Sequence, residues 1–120
     1  MGGKPFVHRV TDLELEPEPL DPETVLAGSP EVSELVLDES LDGRVVRGVW
    51  QITPGVVRDV EADEVFVVVS GRATVEVEGG PTLVLEPGVV GVLRAGDHAT
   101  WTVHETLRKV FQITDVGPGG

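Results

Sequence analysis

Two acids open the strongest apolar run of the chain: Asp63 and Glu64 stand directly before Val65–Val69. A carboxylate carried into an apolar strand has three chemical uses. It can ligate a metal, transfer protons at a raised pKa, or pair with a buried cation. Asp59 and Glu61 lie just upstream. With Asp63 they offer oxygens to a hard cation, but they lack the spacing of a calcium loop and are expected to form a solvated loop. The imidazoles are His8, His98 and His104. His98 is the candidate partner should Glu64 hold a divalent metal, whereas His8 and His104 are expected to be solvated or at a rim. Arg58 and Lys109 are candidate counter-charges to Glu64. Trp101 and Trp50 offer flat apolar walls with one N–H donor each, and ordinary core packing is the competing account of both. No cysteine is present, which excludes disulfides, thiolate metal sites and thiol nucleophiles.

The elements that must position these groups are short strands. Apolar or alternating runs recur at Glu34–Leu37, Arg44–Ile52, Val65–Ser70, Ala73–Glu78, Thr82–Leu85, Val89–Leu93, Thr100–His104 and Leu107–Ile113. Valine enrichment and even spacing predict an antiparallel sandwich or barrel. Ala73, Val75 and Val77 alternate with polar neighbours, so one face is buried and one is wet. Glu78-Gly79-Gly80-Pro81 predicts a hairpin turn and Ser70-Gly71 a second tight turn. Residues 11–31 carry four prolines and read as an extended arm with one helical turn near Pro22–Leu26. Its Leu13, Leu15 and Leu20 are spaced to lie on an apolar surface. The expected organisation is an acidic, proline-rich arm over 1–31, a barrel over 32–116 and a frayed tail over 117–120.

With 120 residues the chain has room for one domain with one modest core. Net charge is −12, and eleven of the 21 acids fall in residues 1–42 against Lys4 and Arg9 alone. This argues against nucleic acid or an anionic membrane as partner. No apolar run approaches the ~20 residues of a membrane helix, and the N-terminus lacks an apolar signal segment. A cytoplasmic location is expected.

Thr53-Pro54-Gly55, then Glu64, then Gly71 six residues on, resembles the first motif of the cupin superfamily. Pro87-Gly88 through Gly96 resembles the second, with Arg94 where that motif has proline. GVWQITPG and AGDHATWTVHETLRKVFQI look most like a small single-domain subgroup, described as ureidoglycine-aminohydrolase-like or ethanolamine-utilisation-like, much of it without assigned function. The resemblance spans roughly residues 13–115. It implies an all-β, small antiparallel jelly-roll barrel (cupin, RmlC-like), here with an extended N-terminal arm that either packs across the barrel or a partner subunit or stays a loose acidic leader, ligands held in the barrel mouth, and a homodimer.

A metal-binding cupin surrounds one divalent ion (Mn, Fe, Ni or Zn) with three His and one Glu. Glu64 matches the glutamate. The two first-motif histidines fall at Arg58 and Val60, or at Val57 and Asp59, and the third at Ala99, one residue beyond His98. None is a histidine, so no cofactor is expected; should a metal be present, Glu64 and His98 would hold it. The resemblance makes Ala99, Trp101 and Val103 the inner face and places a basic residue where Lys109 stands. A Glu64–Lys109 pair inside the barrel is then open to it. The leading expectation is a cupin that binds a small polar metabolite, with Glu64 as catalytic carboxylate and Trp101, Lys109, Arg58 and Trp50 as ligand-binding residues. The alternatives are a metal-dependent hydrolase or isomerase acting on a small nitrogenous or sugar-derived metabolite, and a non-catalytic module that dimerises or docks through its arm.

Overall fold

The computed structural model describes residues 3–115. Nine strands follow in chain order: β1 (Glu16–Pro17), β2 (Val25–Gly28), β3 (Val32–Glu39), β4 (Val45–Ile52), β5 (Gly55–Val60), β6 (Asp63–Val77), β7 (Thr82–Leu85), β8 (Val90–Leu93) and β9 (His98–Thr114). Every pairing is antiparallel. One path runs β1-β3-β4-β9-β5-β2, and β6 pairs with β7, β8 and β9. The sheet curls on itself into the expected jelly-roll. Its core holds Ile52, Phe66, Val75, Leu85, Trp101, Leu107 and Phe111. No helix among the described residues is long and apolar enough to cross a membrane. The expected tail over 117–120 lies outside the described residues.

Three expectations about the strands are corrected. Ser70-Gly71 is not a turn. β6 runs through it as one strand of 15 residues, and the register shifts between Val68 and Ala73. Gly71 there adopts φ +89°. The irregularity shifts the register three times and resets the phase of β6: Glu64, Phe66 and Val68 face inward before it, Ala73 and Val75 after it. Likewise the segments expected at Thr100–His104 and Leu107–Ile113 are one 17-residue strand, bent at the exposed Glu105 and Thr106. β6 and β9 therefore turn the corner of the barrel together. The third correction is β5, whose alternation is interrupted by Arg58 and Asp59. It seats between β9 and β2 and buries Val57.

The N-terminal segment belongs to the sheet at two points, β1 on β3 and β2 on β5. Between them a 3-10 turn at Pro22–Thr24 is capped by Asp21, whose side chain accepts the Glu23 N–H at 3.0 Å. Leu20 and Val25 pack against the core. Upstream, Arg108 on β9 binds the arm from outside. Its guanidinium donates to the carbonyls of Val10 (2.8 Å) and Leu13 (3.0 Å), and its Nε to Gln51 (3.0 Å).

At Gly71 any Cβ would run into the Thr106 carbonyl and the Leu107 Cα, in a backbone region side chains rarely adopt. Gly79, at φ +72° in the β6–β7 hairpin, has open space around it. Gly71→Ala is therefore expected to cost about 3 kcal/mol, positive-φ strain plus forced displacement of β9. Gly79→Ala should cost about 1 kcal/mol from φ alone. Urea denaturation midpoints of the two variants, at unchanged slope, check the difference.

Candidate functional site

Register across the inner face builds the site. Glu34 on β3 pairs with Trp50 on β4, Trp50 with Lys109 on β9, and Lys109 with Val68 on β6. Alternation then points Glu34, Trp50 and Lys109 to the same side. Two residues along β9 from the inward Leu107, Lys109 points into the barrel and is 5% exposed. Glu64, at the start of β6 and 8% exposed, meets it from the adjoining wall. Its Oε2 lies 2.6 Å from Lys109 Nζ. That oxygen is sealed from water and accepts no hydrogen bond of good angle, so the contact is an ion pair held by charge and by its walls. Those walls are aromatic. Nζ sits 4.6 Å from the centre of the Trp50 ring, 4.8 Å from Phe66 and 4.9 Å from Trp101. Trp50 and Trp101 meet edge to face at 5.6 Å. Each ring face attracts the ammonium, more strongly because water is excluded.

Around the pair opens a cavity of about 350 Å³. Trp50, Trp101, Ile52 and Ile113 give it apolar walls, and residues 18–21 with Thr24 form part of its mouth. Its polar lining is mostly carboxylate. Glu61 is 7% exposed, and its Oε2 accepts the Trp101 indole N–H at 2.9 Å. Burial raises the Glu61 carboxyl above its ordinary pKa; the indole hydrogen bond works against this. Glu34 is raised as well, first by burial and then by the nearby Glu18.

Glu61 is the residue the sequence reading misplaced. It does not belong to a solvated loop. Its N–H donates to the Asp97 carbonyl (2.8 Å) and its carbonyl accepts from Gly96 N–H (2.9 Å), which pins the β5–β6 connection against the β8–β9 turn. The signal was parity. Val57 faces in, so 59 and 61 share its side, but only if Gly55–Val60 is read as a strand. Asp59 accordingly lines the cavity at its solvent edge. Asp63 faces the other way and accepts the Ala95 N–H at 3.0 Å.

Of the residues singled out in sequence, Glu64, Lys109, Trp101 and Trp50 come together. Arg58 is exposed at the cavity edge, its Nη2 3.5 Å from the Glu23 carbonyl. His98 does not join them. The β5–β9 register runs without a shift from His98 to Val103, so His98 keeps the parity opposite to Ala99 and lines an outer groove with Glu76 and Glu78. The pairing of Glu64 with His98 is therefore absent. His104 is exposed and lies 3.2 Å from Thr74 Oγ1.

The cupin metal does not fit these residues. Val57 and Asp59 pair with Trp101 and Ala99, so the inward places open to its histidines are held by valine, aspartate and alanine. The matching glutamate is already bound to an ammonium. Among the described residues no three His, Asp or Glu side chains stand close enough to hold one ion. A first-row transition metal would find no imidazole here.

Comparison with known proteins agrees with the architecture. The EutQ-like cupin domain family matches residues 39–111. A Pseudomonas syringae protein of unknown function, of the DUF861 family, superposes with a TM-score of 0.76 at 24% identity, over 86% of this chain and 45% of that one. The chain thus spans less than half of that structure. The Clostridium difficile EutQ protein superposes at 0.63 with 16% identity (75% of this chain, 72% of that one). A putative ethanolamine utilization protein Q from Salmonella typhimurium superposes at 0.60 with 20% identity and the same coverage. No curated protein sequence matches the chain significantly. The strand order, the inward register and the match over 39–111 together place the chain in the EutQ-like cupin domain family.

Proposed function

We propose that the barrel binds a small polar metabolite in the cavity around Lys109 and Glu64, without a transition-metal centre. The observation that carries this reading is the buried ion pair itself. Two charges have been taken out of water at the floor of an accessible cavity, where two apolar residues of like volume would be no less stable. Lys109 puts an ammonium, neutralised by Glu64, at the centre where other cupins use an ion. Glu64 holds the ammonium in place, Trp50 and Trp101 form the walls, and Arg58 borders the edge. Glu61 is the carboxylate best set for proton transfer, since burial has already raised its proton affinity.

A second reading concerns assembly. On the outer face Val65 pairs with Val92 and Val67 with Val90, and all four are at least 40% exposed. In a chain of net charge −12, this uncharged patch is where two copies can meet with least repulsion. A homodimer joined through β6 and β8 follows.

The cavity reading is checked by a fragment screen that follows the indole N–H resonances of Trp50 and Trp101. Some fragments are expected to move both resonances together in the native protein, and the size of that effect should change in the double variant Lys109→Met/Glu64→Gln, which alters the cavity floor. A library in which no fragment moves both indoles would count against it. Lys109→Met alone should cost about 3 kcal/mol by leaving Glu64 buried without a partner, and adding Glu64→Gln should recover most of the loss. Chemical denaturation of the native chain and the two variants measures this.

Glu61 gives a pH signature. In the folded chain it holds its proton above the ordinary value of 4.5, so folded molecules bind more protons than unfolded ones between the two values. Stability contributed there falls as pH rises through that window, and the full penalty persists above it. Glu61→Gln keeps an acceptor for the indole N–H and removes the charge. It should melt higher than the native chain at pH 7, and the gap should close as pH falls below 4.5. Thermal melts across pH decide it. For the dimer, light scattering should give twice the 12.8 kDa chain mass, and Val67→Arg should return the single-chain mass; a native monomer would refute the interface.

A further inference from the structure

We propose that the ligand of this cavity is a small organic dication, with two ammonium or amidinium groups joined by a short alkyl stem. The proposal rests on the cavity reading above and adds the ligand's chemical class. Six carboxylates line the cavity, those of Glu18, Asp21, Glu34, Asp59, Glu61 and Glu64, against the two cations Lys109 and Arg58. The buried cation is engaged and the other lies at the exposed edge. Lys109 is held at 2.6 Å by Glu64 and enclosed by three rings. Arg58 is exposed and extends to the Glu23 carbonyl. The carboxylates of Glu34, Asp59 and Glu61 therefore have no cation of their own within the cavity. Glu61 is the decisive one. It is 93% buried by residue exposure, one oxygen is committed to the Trp101 indole, and the other has acceptor capacity with no donor among the described residues.

The distribution of charge selects among cations. The carboxylates do not converge: no three can reach one metal ion among the described residues. They border different parts of a 350 Å³ space, on the order of ten non-hydrogen atoms at the ~30 Å³ share of a water molecule. Between them lie Leu20, Trp50, Ile52 and Ile113, against which methylenes can pack. An anion would meet the wall carboxylates with only the exposed Arg58 at the edge to oppose them, because the buried ammonium is already neutralised by Glu64. A charged head at Glu61, an apolar stem along Trp50 and a second head toward Glu34 or Asp59 satisfy all of these conditions. Burial raises the proton affinity of Glu34 and Glu61, so a cation placed beside either would favour its charged form.

The test compares three four-carbon probes at fixed ionic strength: putrescine (dication), 1,4-butanediol (neutral) and succinate (dianion). Calorimetry gives affinity, and the Trp50 and Trp101 indole N–H resonances give location. Putrescine is expected to bind and to move the Trp101 signal, with the other two much weaker. Glu61→Gln and Glu34→Gln should each weaken putrescine by about tenfold, the loss of one charge-assisted contact. The expected higher melting point of Glu61→Gln shows that such a loss is not a loss of fold. Putrescine binding that leaves the indoles still, or is unchanged in Glu61→Gln, is condensation on the acidic arm and overturns the proposal. If butanediol or succinate moves the indoles as strongly, the ligand class is wrong while the cavity reading stands. If none of the three moves them, the dication is overturned, and the fragment screen separately decides the cavity.

Discussion

The structure depends on one desolvated charge. Lys109 Nζ is enclosed by Trp50, Phe66 and Trp101 and closed off by Glu64 at 2.6 Å. An ammonium there is tolerable only because two compensations arrive from different strands. The carboxylate neutralises it, and the ring faces replace part of its lost hydration. Each compensation constrains the fold. β4 must hold Trp50 opposite Lys109, β6 must present both Glu64 and Phe66, and β9 must carry Trp101 and Lys109 on one face. A slip of one residue in any of these registers would turn a charge outward or leave one buried alone.

The bulge at Gly71 is what lets β6 meet this demand and still close the barrel. Before it, even-numbered residues face in and deliver Glu64, Phe66 and Val68. After it, odd-numbered residues face in and deliver Ala73 and Val75 to the other end of the core. A single unbroken phase would expose one of these sets. The glycine passes so close to Thr106 and Leu107 that the bulge is built into the bend of β9 as well. The buried ion pair at one end of β6 and core packing at the other are thus joined through one backbone position.

The sequence was legible where one physical rule acted alone. Alternating valines located most strands, and two glycines with proline marked the β6–β7 hairpin. Glu64 was readable as an inward acid through its match to the cupin glutamate, since the wholly apolar run Val65–Val69 carries no alternation of its own. Legibility failed where two rules competed. Ser70-Gly71 carries turn chemistry, yet strand pairing with β9 on both sides overrides it. Gly55–Val60 contains Arg58 and Asp59, which disguise a strand whose pairing is set by β9 and β2. Missing that strand concealed the parity that turns Glu61 inward. The Arg108 clamp on the arm carbonyls had no local signal, since its partners lie 95 and 98 residues away.

Replacing a metal by a lysine changes what a cupin barrel can recognise. A bound ion has open coordination positions and accepts ligand atoms directly. Lys109 has none to spare: its charge is met by Glu64 and its approaches are occupied by rings. On the proposed reading, recognition moves from the centre of the barrel to its walls, where Glu34, Asp59 and Glu61 line the cavity. Of these, Glu61 is the most exacting. Its buried charge is supported by one indole N–H, and a neutral residue would serve packing better. A carboxylate kept there against the interest of stability is what a binding site for positive charge requires, because an unmet acceptor in a dry wall is strongest toward the cation that meets it.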